Sequence, residues 1–232
     1  MMHPSISKYK LYLYLLFLIF LSSIFNFKFV ESFKDKFRLK EITISGISQY
    51  EKKMIESELD NFRNTNIFKL NKNKILETIK KFNFLENIYI NKIIPSTINI
   101  DLSKTSILGK TLIDGEIFFI GKNGQLINSH QIFENNKIPM VFGEFKVKEF
   151  LKIYNILNSH HLEVVQIEKY YYFKNKRWDL LFSNGIELKL PSKKIEDSIK
   201  IYKQLLDNDY LINIKTIDLR VADQIILTNK NE

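Results

Sequence analysis

The chain has 232 residues, 45% of them hydrophobic and 26% charged, which is enough for one or two domains with real cores and excludes a disordered chain. It has no cysteine, and this excludes disulfides, zinc–thiolate sites and cysteine nucleophiles. The formal net charge is +9, of which residues 1–40 contribute +5, with seven basic residues against two acidic ones. Because no Arg-rich stripe or nucleic-acid-binding motif accompanies this charge, we expect no nucleic-acid partner.

An apolar segment near the N-terminus predicts membrane attachment. Residues 11–27, LYLYLLFLIFLSSIFNF, contain no charge, and the apolar run continues to Val30 if the Lys28 side chain reaches the interface. About 20 such residues span a hydrocarbon core of roughly 30 Å. A cleaved signal peptide is the alternative, but the run exceeds the usual 7 to 15 or so residues and no small-residue cleavage site follows. We expect a cytoplasmic tail over residues 1–10, an uncleaved transmembrane helix over residues 11–30, and domains outside the cytoplasm.

The following segment predicts a small α+β domain, which we assign to residues 37–103. FRLKEITISG alternates apolar and polar residues and stops at Gly46, as a strand does. Ser48 begins a capping box ahead of an apolar stripe at helical spacing, and Asn71 caps a second predicted helix. Two alternating strands follow, separated at Pro95. The predicted order is strand, helix, helix, strand, strand.

Residues 104–229 predict a mainly antiparallel β domain with two helices, followed by a tail of residues 230–232. VKEFLKIYNIL predicts one helix, and a second follows Ser192, which we expect to be its N-cap. LEVVQIEKYYYF, residues 162–173, predicts a long strand, and IKTIDLR and DQIILTN predict the last two. Three dipeptides typical of tight turns separate shorter strands: Asp114-Gly115, Asn123-Gly124 and Asn184-Gly185.

The aromatic residues of this second domain suit either a core or a ligand-binding surface. Strand alternation puts Tyr170 and Tyr172 on one face, and Tyr171 and Phe173 on the other. Trp178 shares its face with the alternating apolar residues of its hairpin, RWDLLFSNGIELKLP. We expect one face of these strands, with Trp178, to lie in the core.

No pattern of catalytic or metal-binding residues stands out. His160 and His161 are adjacent, so their side chains diverge, and no ligand at helical spacing accompanies them. Phosphate-binding loops, nucleophile elbows and zinc-protease motifs are absent from the sequence. The carboxylates that could form a catalytic pair, such as Asp114 with Glu116 or Asp207 with Asp209, lie in expected turns and caps, where hydration accounts for them. We therefore predict a non-enzymatic protein with no cofactor, no metal and no small-molecule substrate.

The order and spacing of these segments resemble the FtsQ/DivIB family of bacterial cell-division proteins. FRLKEITISGI, NIFKLNKNKILETIKKF and ENIYINKIIPSTINIDL resemble a POTRA domain, the polypeptide-transport-associated β-α-α-β-β fold. LIDGEIFFIGKNGQLI, IPMVFGEF, RWDLLFSNGIELKLP and IDLR look like the β domain of that family. The resemblance covers the chain from about Leu11 to Leu227.

This resemblance implies a non-catalytic, single-pass scaffold in the cell inner membrane at the division septum, with its domains in the periplasm. Such a scaffold links early cytoplasmic division proteins to the late septal wall-synthesis proteins, largely by binding FtsB and FtsL. Two other functions stay open, a POTRA-containing outer-membrane assembly factor and a membrane-anchored cell-wall enzyme. The first normally carries several POTRA repeats and a C-terminal barrel, which this sequence lacks.

The family resemblance also implies where the partner binds, because the family's β domain pairs with FtsB along its last strand. An unpaired terminal strand is a template for strand addition, and VADQIIL has neither the Pro nor the Lys that commonly protects an edge. Some relatives have an aromatic residue after DLR, where this chain has Val221. The residues assigned to the partner-binding edge are Arg220, Val221, Ala222, Asp223, Gln224, Ile225, Ile226 and Leu227.

Overall fold

The computed structural model describes residues 7–24, 27–131, 137–207, 213–221 and 224–230, and the chain divides into two compact units. The first unit comprises Met1–Lys81 and Asn87–Ser103, and the second comprises Phe82–Glu86 and Lys104–Glu232. The helices are α1 (Lys8–Ile24), α2 (Phe27–Lys36), α3 (Gln49–Leu59), α4 (Lys72–Ile79), α5 (Val147–Ser159) and α6 (Ile195–Asp207). The strands are β1 (Glu41–Ser45), β2 (Leu85–Ile93), β3 (Thr97–Lys104), β4 (Ile107–Ile113), β5 (Glu116–Gly121), β6 (Leu126–Asn128), β7 (Met140–Phe142), β8 (Ile167–Tyr172), β9 (Trp178–Phe182), β10 (Glu187–Lys189), β11 (Ile214–Asp218) and β12 (Ile226–Asn229).

Helix α1 carries the apolar N-terminal segment. Its large apolar side chains from Leu11 to Leu21 are all at least 41% exposed. Within the described ranges, no helix combines the length and the apolar character needed to cross a membrane. The transmembrane helix over residues 11–30 stays a prediction, and residues 1–6, 25 and 26 lie outside the described residues.

The first unit has the predicted order of strand, helix, helix, strand, strand. Its sheet has the strand order β1-β3-β2, with β1 parallel to β3. Alternate residues of the central strand β3 point to the core, and Ile98, Ile100 and Leu102 are buried. Ile55 of α3 and Ile79 of α4 are fully buried as well, so the apolar stripes of both helices supply the core of this unit.

Both N-caps predicted for this unit are confirmed. The backbone N–H of Ser48 donates to Glu51 Oε2 at 2.8 Å, and the Glu51 N–H donates to Ser48 Oγ at 3.4 Å, which completes a capping box on α3. At α4, the Asn73 N–H donates to Asn71 Oδ1 at 2.9 Å. These contacts satisfy N–H groups that the first turn of a helix leaves without an intrahelical acceptor.

The second unit is built on one nine-stranded sheet with the order β12-β11-β10-β9-β8-β7-β4-β5-β6. Five of its strand pairings are antiparallel and three are parallel, so the sheet is mixed rather than mainly a series of hairpins. Helices account for two of the parallel pairings, because α5 connects β7 to β8 and α6 connects β10 to β11. The two predicted helices are therefore the crossovers of this sheet.

The core of the second unit contains the aromatic residues that alternation assigned to it. Trp178 is 3% exposed and Tyr170 is fully buried. The ring of Tyr172 lies 4.7 Å from that of Trp178, centroid to centroid, and Phe150 of α5 meets Tyr170 edge-on at 5.2 Å. The prediction that Trp178 belongs to the core is confirmed.

Two local predictions for the second unit are wrong. The strand expected over residues 162–173 begins only at Ile167, because the Leu162 N–H donates to the Leu157 carbonyl at the end of α5 and a 3₁₀ turn follows. Ser192 is not the N-cap of α6, since the Ser198 N–H donates to the carbonyl of Lys194, which takes the N-cap position instead.

Candidate partner-binding edge

Strand β12 lies at one end of the nine-stranded sheet. It runs antiparallel to β11, with Ile226 opposite Asp218 and Leu227 opposite Ile217. In the described part of the chain, no strand pairs with the other side of β12. Backbone N–H and C=O groups on that side therefore face away from the sheet.

The eight predicted edge residues occupy different places. Ile226 and Leu227 lie in β12, whereas Arg220, Val221, Gln224 and Ile225 lie in the segment that connects β11 to β12. Ala222 and Asp223 are outside the described residues. The apolar side chains are open to solvent to similar extents: Val221 49%, Ile225 46%, Ile226 47% and Leu227 41%.

An ion pair fixes the start of this segment. Arg220 Nε lies 2.8 Å from Asp218 Oδ1 and 2.9 Å from Oδ2, and the Arg220 backbone N–H donates to the same carboxylate at 3.0 Å. These hydrogen bonds, first of all those from the guanidinium, lower the pKa of Asp218 below its usual value. Arg220 is therefore held where the chain leaves β11.

A second carboxylate lies two strands away on the same face of the sheet. Lys189 of β10 is opposite Asp218 on one side and opposite Asp179 of β9 on the other. The Asp179 side chain is only 5% exposed, Arg177 Nε lies 3.7 Å from its Oδ1, and no group in the described ranges hydrogen-bonds that oxygen. Burial raises the pKa of Asp179, an effect that the charge of Arg177 partly opposes.

A groove of about 800 Å³ opens beside the connecting segment. The start of α6, the end of β11 and the residues before β12 form its walls. Sequence patterns did not reveal this groove, although the Lys193-Lys194 pair was a visible signal of local charge. The charged residues lining it are four cations and one carboxylate: Arg177, Lys193, Lys194, Arg220 and Asp197.

The histidines and the outward-facing tyrosine considered from the sequence lie in turns and in packing contacts. The carbonyl of His160 accepts a hydrogen bond from Lys203 Nζ at 2.9 Å, and His161 is an exposed turn residue with φ of 54°. No three His, Asp or Glu side chains in the described ranges are grouped so as to hold a metal ion. Tyr171, on the face away from the core, stacks on Phe142 with ring centroids 5.1 Å apart.

Two family models match the chain along most of its length. Residues 37–104 match the POTRA domain of the FtsQ type, and residues 112–220 match the C-terminal region of the cell division protein FtsQ/DivIB. The chain belongs to the FtsQ/DivIB family. The C-terminal match of this family ends at Arg220, so it includes the ion pair with Asp218 and stops ahead of β12.

Named relatives agree with this family. Cell division protein FtsQ of Rickettsia bellii is 27% identical over 186 residues, and that of Rickettsia typhi is 26% identical over 192 residues. Each alignment covers 79% of this chain, with 69% and 70% of the relative, respectively. Cell division protein DivIB of Clostridium botulinum is 26% identical over 196 residues, which are 77% of this chain and 76% of the relative.

Proposed function

We propose that this FtsQ/DivIB chain is a non-catalytic scaffold that links early cytoplasmic division proteins to the late septal wall-synthesis proteins. Membership of a cell-division family supports the cellular role. The observation that carries the molecular part is the open outer side of β12, with three apolar residues, Ile225, Ile226 and Leu227, in succession. Such a surface is suited to binding another protein rather than to catalysing a reaction.

The partner, FtsB with FtsL, adds a strand to β12. Backbone hydrogen bonds along the outer side of β12 extend the sheet, and the side chains that alternate along the strand give specificity. Exposed apolar residues at this edge lose their contact with water when the added strand covers them. Val221 and Ile225 extend the apolar contact beyond the two predicted residues that lie in β12 itself.

The groove beside this edge selects for an acidic partner segment. Its lining has a net positive charge, and the exposed side chains of Lys193 and Lys194 offer ammonium groups that attract carboxylates. A partner chain that leaves β12 toward α6 passes these groups. Capture should therefore weaken as ionic strength rises, because exposed charges are screened by salt.

A single-pass anchor over residues 11–30 holds this scaffold in the cell inner membrane at the division septum, with the N-terminus cytoplasmic and both units in the periplasm. The charge-free sequence of residues 11–27 and the exposed apolar side chains along α1 support the anchor.

Substitution of one edge residue tests the site. Ile226→Lys in the full-length chain should reduce co-purification of FtsB and FtsL at least about tenfold, because the lysine places a charge where an apolar contact forms. Ile117→Lys is the matched control, since Ile117 is 41% exposed against 47% for Ile226 but lies in β5, which pairs on both sides. Both variants should melt close to the wild type, as substitutions at exposed positions usually do.

Equal loss in both variants, or no loss in Ile226→Lys, would contradict the assignment of the edge.

The scaffold role has two further tests. Depletion of the protein should leave cells filamentous, and a wall defect without a block of division would argue against that role. The purified chain should not turn over peptidoglycan, and robust turnover would refute its non-catalytic character.

A further inference from the structure

One end of the first unit, where the chain arrives from α2, combines exposed apolar side chains with basic ones. Three segments meet at this end. The N–H groups of Lys40 and Glu41 donate to the carbonyl of Ser96 in the β2–β3 turn, at 2.9 and 3.3 Å. The Leu39 N–H donates to the Thr65 carbonyl at 2.8 Å, which brings in the loop between α3 and α4.

This loop exposes a phenylalanine from a fixed backbone. Ile67 and Leu70 point inward and are 1% and 7% exposed, whereas Phe68 between them is 61% exposed. Lys92 Nζ donates to the carbonyls of both Ile67 and Leu70 at 2.7 Å, and the Phe68 N–H donates to Asn66 Oδ1 at 3.0 Å. These hydrogen bonds therefore fix the loop in a conformation that exposes the Phe68 side chain.

Two more apolar side chains lie at the same end. Ile93, at the last position of β2, is 51% exposed, and Ile94, in the turn, is 61% exposed. Lys92, the residue before them, is the one that holds the Phe68 loop. Phe68, Ile93 and Ile94 together form what we term the apolar rim.

Basic side chains surround a shallow cleft beside this rim. The cleft has a volume of about 510 Å³ and is lined by Lys34, Arg38, Asn64, Asn66 and Lys69, so it holds three cations, two amides and no carboxylate. Arg38 directs its Nε to Asp35 at 3.1 Å. Guanidinium, ammonium and amide N–H groups are the donors that bind phosphate oxygens.

We propose that the apolar rim and the basic cleft dock onto a membrane surface that contains anionic phospholipid. This inference rests on the anchoring proposed above, since α2 joins the anchor segment to this end of the unit. The cleft takes the phosphodiester of an anionic headgroup, while Phe68, Ile93 and Ile94 reach the boundary of the acyl chains. Charge complementarity selects the lipid, because basic residues next to a membrane are attracted by anionic headgroups.

The absence of cysteine allows a site-specific optical test on the full-length chain. Ile93→Cys, labelled with an environment-sensitive fluorophore, is reconstituted in nanodiscs of phosphatidylcholine alone or with about a third of it replaced by phosphatidylglycerol. We expect a blue-shifted emission in the anionic discs only. The same label at Lys53→Cys should not shift, because exposed Lys53 lies near the start of α3, at the opposite end of β1.

Charge reversal distinguishes lipid binding by the cleft from a general effect of the chain's positive charge. Lys34→Glu with Lys69→Glu should abolish the shift at position 93, whereas Lys53→Glu with Lys81→Glu changes the net charge equally and should keep it.

Discs that retain the chain without a shift at 93 would overturn the lipid-docking surface while leaving the anchor intact. A shift that requires an added division protein would assign the surface to a protein instead. Failure of discs of either composition to retain the chain would overturn the anchor, and this inference with it.

Discussion

Asp179 and Asp218 lie on the same face of the sheet, two strands apart, yet their surroundings shift their pKa values in opposite directions. Hydrogen bonds from the Arg220 guanidinium lower the pKa of Asp218. Burial raises the pKa of Asp179, whose Oδ1 is 3.7 Å from the nearest guanidinium nitrogen. Arg220 donates through three groups to its carboxylate, whereas Arg177 directs its guanidinium carbon over the ring of Phe173 at 4.1 Å. Burial therefore sets the direction of the shift at Asp179, and hydrogen bonds from the paired cation set it at Asp218.

We expect Asp179→Asn to raise the melting temperature at pH 7 and Asp218→Asn to lower it. The second substitution should reduce the free energy of unfolding by about 1 kcal/mol. A raised carboxyl pKa means that ionisation destabilises the fold; the penalty is absent below the unfolded pKa near 4, grows as pH rises from there to the folded pKa, and is complete above it. A lowered pKa gives stability that is present above the unfolded value and lost as pH falls through the folded one. Fluorescence of Trp178, the only tryptophan, reports melting of the second unit.

Both differences from the wild type should shrink toward pH 3, since all the carboxyl groups concerned then approach the protonated state. Destabilisation by Asp179→Asn at pH 7 would show that the contact with Arg177 outweighs the cost of burial. A Trp178→Phe variant, with unfolding followed by circular dichroism, controls for any direct effect of either substitution on the tryptophan emission.

Sequence predicted residue roles well where a local pattern decided them. Trp178 in the core and Ser48 at an N-cap follow from alternation and from spacing within a few residues. Asp179 was invisible to such reasoning, because WDLLF gives an acidic residue between apolar ones the appearance of a solvated position. Its burial comes from neighbouring strands. Lys194, and not Ser192, precedes α6 because the first helical hydrogen bond runs from the Ser198 N–H to the Lys194 carbonyl.

Some elements end in turns with a positive φ that favours glycine, and Gly46 after β1 is the case where a side chain would also collide. Its φ is 86°, and a Cβ built there would lie 1.8 Å from the Leu102 carbonyl oxygen of β3. Gly115, in the β4–β5 hairpin, has a similar φ of 85° but open space around it. Both positions have a backbone conformation that would strain an alanine, and they differ in whether its Cβ would collide with another strand.

We expect Gly46→Ala to destabilise the first unit by several kcal/mol, and Gly115→Ala by only about 1 kcal/mol, the cost of a left-handed conformation for alanine. Urea unfolding of the full-length variants, followed by amide exchange of β1 and β3, measures the first effect. Near-equal losses would mean that β1 shifts away from β3 at little cost. The hairpin substitution serves as the control because it introduces the same strain without the contact.

Element types were predictable, whereas pairings between distant strands were not. Turn dipeptides and capping residues act within a few positions, so the hairpin at Asn184-Gly185 and helix α3 follow from sequence. The parallel pairings of β4 with β7 and of β10 with β11 join segments far apart in the chain, where no local signal specifies register. For the candidate edge, sequence predicted a terminal strand, but only Ile226 and Leu227 of the assigned residues lie in β12, and the groove next to it depends on the packing of α6.

For the molecule as a whole, the proposed anchor and the proposed partner edge lie near opposite ends of the sequence and in different compact units. The anchor segment and the basic cleft belong to the first unit, and β12 belongs to the second. Sites that share no contacting residues usually contribute additively. Tethering and partner capture should therefore be separable by exchange of one part.

We expect a chimera in which an unrelated single-pass anchor replaces residues 1–30 to capture FtsB and FtsL within about twofold of the wild type, because the anchor segment and β12 belong to different compact units. The substitution Ile226→Lys within that chimera should abolish capture, which shows that the same edge still binds. Co-purification from detergent-solubilised membranes, normalised to the amount of inserted chain, measures both. Loss of capture in the chimera at normal insertion would mean that the anchor itself contacts the partner, and the scaffold would then have two binding regions instead of one.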